Sequence, residues 1–308
     1  MKKAFTLIEL IFVIVLLSII SMFGADLYVK IYNSYTNNRA TSDLEGETER
    51  TLNIITSLLR DRVKQTVIGR ATDNGEHPDG VFVYLDQVQE EHDVLEWIGK
   101  STETQYIGST NKGVLGWSGF AIDSSVPSGD FVIQSPGSSL KNAESILNSL
   151  NAGTKSFGII FNDAEVDANS FGYDHKTYNH TNIGTVSITG NDTMQISGLA
   201  SRNKNRYFLV HTAYAIVPVL DNNAADVNVR GIKSNTYNLL LYYDFQPWEG
   251  EKYNNKDGKS VILAKNVTMF RFTYDNNSVA VKLCMRDNNR NFDAEKLDFI
   301  VCKSQVVE

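Results

Sequence analysis

Residues 5–23, FTLIELIFVIVLLSIISMF, are apolar at nearly every position and carry one charge, Glu9. At about 1.5 Å per residue a helix of this length spans roughly 28 Å, close to the hydrocarbon thickness of a bilayer, so a membrane-crossing helix is predicted. Further along, Leu44, Leu52, Ile55, Leu59, Val63 and Val67 recur at three, four or eight residues, while Glu45, Glu47, Glu49, Arg50, Arg60, Asp61 and Arg62 fill much of the remainder. That spacing predicts one helix from residue 5 to about Gly69, its second half packed on a core through a single apolar face. Gly24 and the polar stretch 24–42 predict a bent or frayed junction.

From residue 81 the pattern shifts to short apolar or alternating runs separated by Gly, Ser, Asn and Asp. These predict strands at 81–85, 131–134, 157–161, 185–188, 207–220, 237–245, 261–264, 267–274, 279–285 and 297–302, with one short helix at 140–150. The fold class is α+β: a long N-terminal helix, transmembrane in its first half, packed on an antiparallel β-sheet head. Residues 97–205, richer in Gly, Ser, Thr and Asn, predict a large insertion in the sheet or a separate subdomain. The expected division is 1–4 as a leader, 5–25 as the transmembrane helix, 26–69 as the amphipathic half of that helix, and 70–308 as the head.

Charge and cysteine content narrow the class. A formal charge of -7 and a pI near 5.3, with no basic run after residue 70, disfavour nucleic acid as a direct partner, because phosphate binding needs clustered Lys and Arg. Two cysteines are too few for a disulfide-dense scaffold or a four-ligand zinc site. The head Met1-Lys2-Lys3-Ala4 carries two positive charges, which predicts a cytoplasmic N-terminus and export of everything beyond Phe23. A secretory signal peptide fits poorly: a cut after Ala25 would place bulky Phe23 where a small residue is required. No cysteine follows the apolar run to anchor a lipoprotein, whereas an uncleaved signal anchor satisfies the hydropathy equally well.

Glu9 separates the readings. A carboxylate one turn inside an apolar segment costs several kcal/mol unless it is paired or reaches the interface, and a simple anchor does not need one. With Glu9 in place, KAFTLIEL resembles the class III signal of type IV prepilins and type II secretion pseudopilins, a resemblance that covers residue 2 to about residue 21. It implies cleavage between Ala4 and Phe5 by a membrane prepilin peptidase, followed by N-methylation of Phe5. Ala4 stands where the family usually has Gly, and Asp26 stands where major pilins often carry Pro. The resemblance further implies that Glu9 pairs with the Phe5 amine of a neighbouring subunit and sets the axial stagger of a filament; tip-type K pseudopilins typically lack this carboxylate.

The C-terminal block, YNLLLYYDFQPW, VTMFRFTYDNNSVAVKLCM and LDFIVC, resembles the last sheet of J-type pseudopilins and W-type minor pilins. The implied function is a non-enzymatic minor pseudopilin or pilin of a type II secretion, type IV pilus or DNA-uptake machine, anchored in the inner membrane with a periplasmic head. Its implied partners are other pilins or pseudopilins, the prepilin peptidase and an inner-membrane assembly platform. The competing function is a membrane-anchored periplasmic binding or enzymatic domain behind a prepilin-like anchor.

Other chemistry is sparse. Gly99-Lys100-Ser101 and Gly258-Lys259-Ser260 look like the end of a phosphate loop, but Val94 and Tyr253 stand where the loop needs its first glycine, so turns are expected. The five histidines, His77, His92, His175, His180 and His211, lack ligand spacing and are expected at the surface or in turns. No cofactor is expected. Asp287, Asn289, Asn291, Asp293 and Glu295 alternate as calcium ligands do, yet Phe292 occupies the position that needs Gly; Asp221, Asn222, Asn223 and Asp226 form a looser set. A solvated hairpin turn is the expectation for both. Strand alternation places Cys284 with Ala280 and Lys282, and Cys302 with Ile300 and Asp298, so the two cysteines can meet across one hairpin, and export favours a disulfide.

Overall fold

The computed structural model describes residues 7–72, 80–109, 113–122, 130–151, 153–162, 167–174, 180–200, 205–220, 236–255, 257–275, 278–287 and 300–308. Helix α1, Leu7–Arg60, is continuous. It runs through Gly24 and the polar stretch where a bend was expected. The hydroxyls of Thr36 and Thr41 donate back to the Tyr32 and Asn37 carbonyls at 3.1 and 3.0 Å, so these side chains find partners inside the helix. The chain divides into two compact units between Glu47 and Thr48, and α1 contributes 7–47 to the first and 48–60 to the second.

In the second unit the order of elements is β1 (Ile68–Arg70), β2 (Phe82–Tyr84), β3 (Val94–Lys100), α2 (Thr102–Tyr106), β4 (Phe131–Gln134), α3 (Leu140–Asn151), β5 (Phe157–Phe161), β6 (Gly184–Ile188), β7 (Thr193–Ser197), β8 (Tyr207–Leu220), β9 (Tyr237–Phe245), β10 (Lys259–Asp275), β11 (Ser278–Arg286) and β12 (Ile300–Val307). α1 stops at Arg60, short of the expected Gly69, because the chain there turns to pair with the sheet. The Val63 amide donates to the Ile98 carbonyl at 2.9 Å, and the Lys100 amide donates to the Asp61 carbonyl at 2.8 Å. Gly69 is therefore a strand residue. Its need for glycine is steric, since a Cβ there would lie 2.5 Å from Cγ2 of Val88.

Among the described residues, every pair of strands is antiparallel. The spine is β8, fourteen residues long. Val210 is paired with both Lys100 of β3 and Gly158 of β5, so those strands flank it on opposite sides. Residues 213–220 then pair with β9. One arm of the sheet is β2-β1-β3-β8-β9-β10-β11-β12, and a second, β5-β6-β7-β4, grows from the first residues of β8. This second arm, with α2 and α3, occupies most of the region expected as an insertion. Trp97, at the start of that region, lies inside β3 of the first arm.

Packed cores among the described residues follow from this branching. One gathers Ile98, Ile160, Phe171, Tyr173, Phe245 and Trp248 over the centre of the sheet. Another collects Trp117, Leu140, Leu147, Met194, Ile196 and Leu209 between the second arm and α3. β3 is buried along both faces, with only Lys100 partly open. Leu52, Ile55 and Leu59 of α1 are fully buried, as their spacing predicts. β10 is one strand where two were expected. Asn266, in the left-handed region at φ 56°, accommodates the register shifts on both sides of Val267 and lets pairing resume.

Candidate functional site

Among the described residues, the chemistry to weigh lies in the apolar helix, in the seam where residues 48–62 meet the sheet, and in two buried polar clusters.

The apolar segment of α1 is long and apolar enough to cross a membrane, with a mean hydropathy of 2.7 over its best window and none of that window buried. Leu10, Ile14, Leu17 and Phe23 all present their side chains outward. Ser18, the hydroxyl within this run, donates to the Ile14 and Val15 carbonyls at 2.8 and 2.9 Å, so its polar group is satisfied within the helix. Glu9 lies in the first described turn and is exposed. Ala4 and Phe5, the expected cleavage pair, lie outside the described residues.

The seam ties α1 to the edge strand β12. Lys303 Nζ lies 2.7 Å from Glu49 Oε2, Gln305 Nε2 donates to Asn53 Oδ1 at 2.8 Å, and Thr56 Oγ1 donates to Gln305 Oε1 at 3.0 Å. Arg62 then donates to the main-chain carbonyls of Val307 and Glu308 at 3.3 and 3.2 Å. The contacts advance in step, so helix and strand run in the same direction. The Lys303 ammonium holds the Glu49 carboxyl below its ordinary range.

β12 is joined covalently to β11. Cys284 and Cys302 face each other in register and form the disulfide that the alternation suggested, with Cα atoms 4.0 Å apart. Closing a loop of this size contributes about 3 kcal/mol in the chain-entropy model. Replacing both cysteines by serine should cost about that much in thermal or urea unfolding, and unfolding without reductant should release no labelable thiol. A thiol titre from the unreduced protein would contradict the bridge.

The first buried cluster was not visible in the sequence. Arg70 and Glu96, both almost fully buried, form an ion pair in which Arg70 Nε and Nη2 lie 3.2 and 3.0 Å from Glu96 Oε2. Arg70 also donates to the carbonyls of Tyr173 and Gly80, each at 3.3 Å, and its guanidinium lies over the Phe82 ring at 5.0 Å. Burial pushes the Glu96 carboxyl up from its ordinary range, and Arg70 opposes that shift. Nearby, Tyr173 Oη donates to the Thr66 carbonyl at 2.7 Å.

The second cluster corrects one expectation: His211 is buried inside β8, neither at the surface nor in a turn, whereas His92 is buried but does sit in a turn. His211 Nδ1 is 2.7 Å from Ser101 Oγ, which in turn is 2.7 Å from Thr104 Oγ1, and Trp117 Nε1 donates to the Ser101 carbonyl at 3.1 Å. Burial lowers the His211 pKa, with Glu103 and Asp244 pulling it back up. Ser101 is fully buried, so this serine–histidine pair offers a substrate no approach; it braces β3, α2 and β8. His92 accepts from the Gln89 amide at 3.0 Å and closes a turn. Gly99, Lys100 and Ser101 are likewise not a free turn but the end of β3 and the residue capping α2, and Lys259 and Ser260 open β10.

Asp287 is described directly after β11, whereas Asn289, Asn291, Asp293 and Glu295 lie outside the described residues, as do Asp221, Asn222, Asn223, Asp226, His77 and His175. Among the described residues, no group of three or more His, Cys, Asp or Glu side chains is placed to hold a metal. No protein-family model matches the chain, and comparison with curated proteins and with solved structures finds no similar protein.

Proposed function

We propose that the chain is a minor pilin or pseudopilin, a structural subunit that assembles through its N-terminal helix into a filament serving type II secretion, a type IV pilus or DNA uptake. The observation that carries this reading is Glu9. It is the one charged residue of the lipid-length apolar run 5–23, four positions after the Phe5 of a KAF sequence that resembles a prepilin cleavage site. The α+β architecture supports it, because the same helix continues to Arg60 and there becomes the core helix of an antiparallel sheet. In this reading the head is periplasmic, the disulfide suits that compartment, and the partners are sister subunits, a prepilin peptidase and an inner-membrane platform.

Mass spectrometry of the mature N-terminus, with and without the peptidase, tests it. The expected product begins at Phe5 and carries one added methyl group when the peptidase is present, and begins at Met1 when it is absent. Met1 retained in both, or a cut beyond residue 20, would end the pilin reading.

A further inference from the structure

The exposed apolar surface of α1 does not stop at Phe23. Leu27, Tyr28, Ile31, Tyr32 and Tyr35 follow it, and the three tyrosines are 70%, 57% and 62% exposed. At about 100° per residue, Tyr28, Tyr32 and Tyr35 fall within about 60° of one another around the helix, with Ile31 beside them. Tyr28 and Tyr32 stack, their ring centroids 6.4 Å apart. Asp26, Lys30 and Asn33 lie on the opposite side and are exposed. The result is a one-sided aromatic stripe.

We infer that this stripe rests on the lipid headgroup layer, and that α1 therefore leaves the bilayer tilted, with the Tyr28–Tyr32–Tyr35 face turned toward the membrane. The inference rests on the reading of residues 7–23 as a membrane-crossing segment. Its first support is depth. Counted from Leu7, Tyr28 lies about 32 Å and Tyr35 about 42 Å along the axis. With Leu7 at the inner edge of a hydrocarbon core about 30 Å thick, Tyr28 sits at the outer edge, where a headgroup layer roughly 5–7 Å deep begins. An upright helix would carry Tyr35 about 12 Å beyond the hydrocarbon, into water. A tilt of about 30°, inside the ordinary range, returns it to about 6 Å, within the layer.

The second support is symmetry. An upright helix meets the interface equally all round and gains from aromatic residues on every side. A tilted one has an underside facing headgroups and an upper side facing water, matching tyrosines on one flank and Asp26, Lys30 and Asn33 on the other. The third is chemistry, since a phenol combines an apolar ring with a polar tip and suits the boundary of acyl chains and headgroups. The stripe is also continuous with the lipid-facing surface, with no charged residue on the tyrosine side between Phe23 and Tyr35.

Spin labelling of the full-length chain reconstituted in vesicles of equal parts phosphatidylcholine and phosphatidylglycerol tests this. The native cysteines are held in a disulfide, so one introduced cysteine takes the label. Labels would be placed at Tyr28→Cys, Tyr32→Cys and Tyr35→Cys, at Lys30→Cys and Asn33→Cys, and at Phe12→Cys as a deep reference. Accessibility to oxygen, which concentrates in lipid, is compared with accessibility to a water-soluble nickel chelate. The expected result is an oxygen-to-nickel ratio at the three tyrosine positions between that of position 12 and those of positions 30 and 33. A nickel-accessible tyrosine face with position 12 still deep would overturn the tilt alone. Shielding from both reagents with spin–spin broadening would overturn it in favour of a second copy's helix. Nickel access at position 12 would remove the membrane-crossing reading, and the tilt with it.

Discussion

Replacing Arg70 by methionine should lower the stability of the second unit by about 3–5 kcal/mol, because it leaves the Glu96 carboxylate uncompensated in the core. For a unit of this size that is a fall in Tm of roughly 6–20 °C. Glu96→Ala should cost a similar amount by stranding the guanidinium. The double variant Arg70→Met/Glu96→Met should recover much of the loss, since a buried ion pair as a whole stabilises little compared with well-packed apolar side chains. Recovery should still be incomplete, because Arg70 also serves the carbonyls of Tyr173 and Gly80, and each lost donor costs about 1 kcal/mol. A double-mutant cycle by urea unfolding reads the coupling directly. If each single variant costs under about 1 kcal/mol, as for a solvent-exposed pair, the buried pair does not stabilise the second unit.

If the chain is the filament subunit proposed above, the second large effect is expected at Glu9, on assembly rather than stability. Glu9→Leu makes the helix more apolar, so insertion into the inner membrane should be retained or improved. Incorporation into filaments should fall at least about tenfold, the loss that follows from about 1.4 kcal/mol at each subunit contact. Sedimentation of sheared filaments, measured beside the membrane-bound pool, separates the two quantities. Undiminished filament incorporation of the leucine variant would remove Glu9 from assembly, and loss from both fractions would show a role in insertion or survival of the chain.

How far the structure was legible depended on what each element asks of its residues. Strands β4, β5, β8 and β9 are readable to the residue because each is a compact apolar or alternating run bounded by turn formers. β3 is not, because VLEWIGK carries Glu96 as its third residue and a charge in a short run reads as surface. Only the fold shows that Arg70 comes to meet it. Arg70 is equally opaque, lying in a three-residue strand that the helical spacing of the preceding residues masks. β7 is half polar, and β10 carries Lys265 and Asn266 where its register shifts. His211 was misplaced because a lone histidine gives no signal of burial until its strand is known to be the spine.

The disulfide was legible because two adjacent strands and their alternation suffice to bring Cys284 and Cys302 together. The N-terminal feature is a local word in the sequence, and its meaning rests on Glu9 inside an apolar helix.

The seam between residues 48–62 and β12 has a mechanical consequence. Its ties at Glu49–Lys303, Asn53 and Thr56 with Gln305, and Arg62 with the Val307 carbonyl are spread along two elements that run the same way. A pull along the helix axis therefore loads them together in shear instead of opening them one by one like a zipper. The staple between Cys284 and Cys302 passes that load to β11 as a covalent bond, so the edge strand cannot peel away alone. Reduction should lower the force at which this helix is drawn from the sheet, a property set by the barrier to unfolding rather than by equilibrium stability.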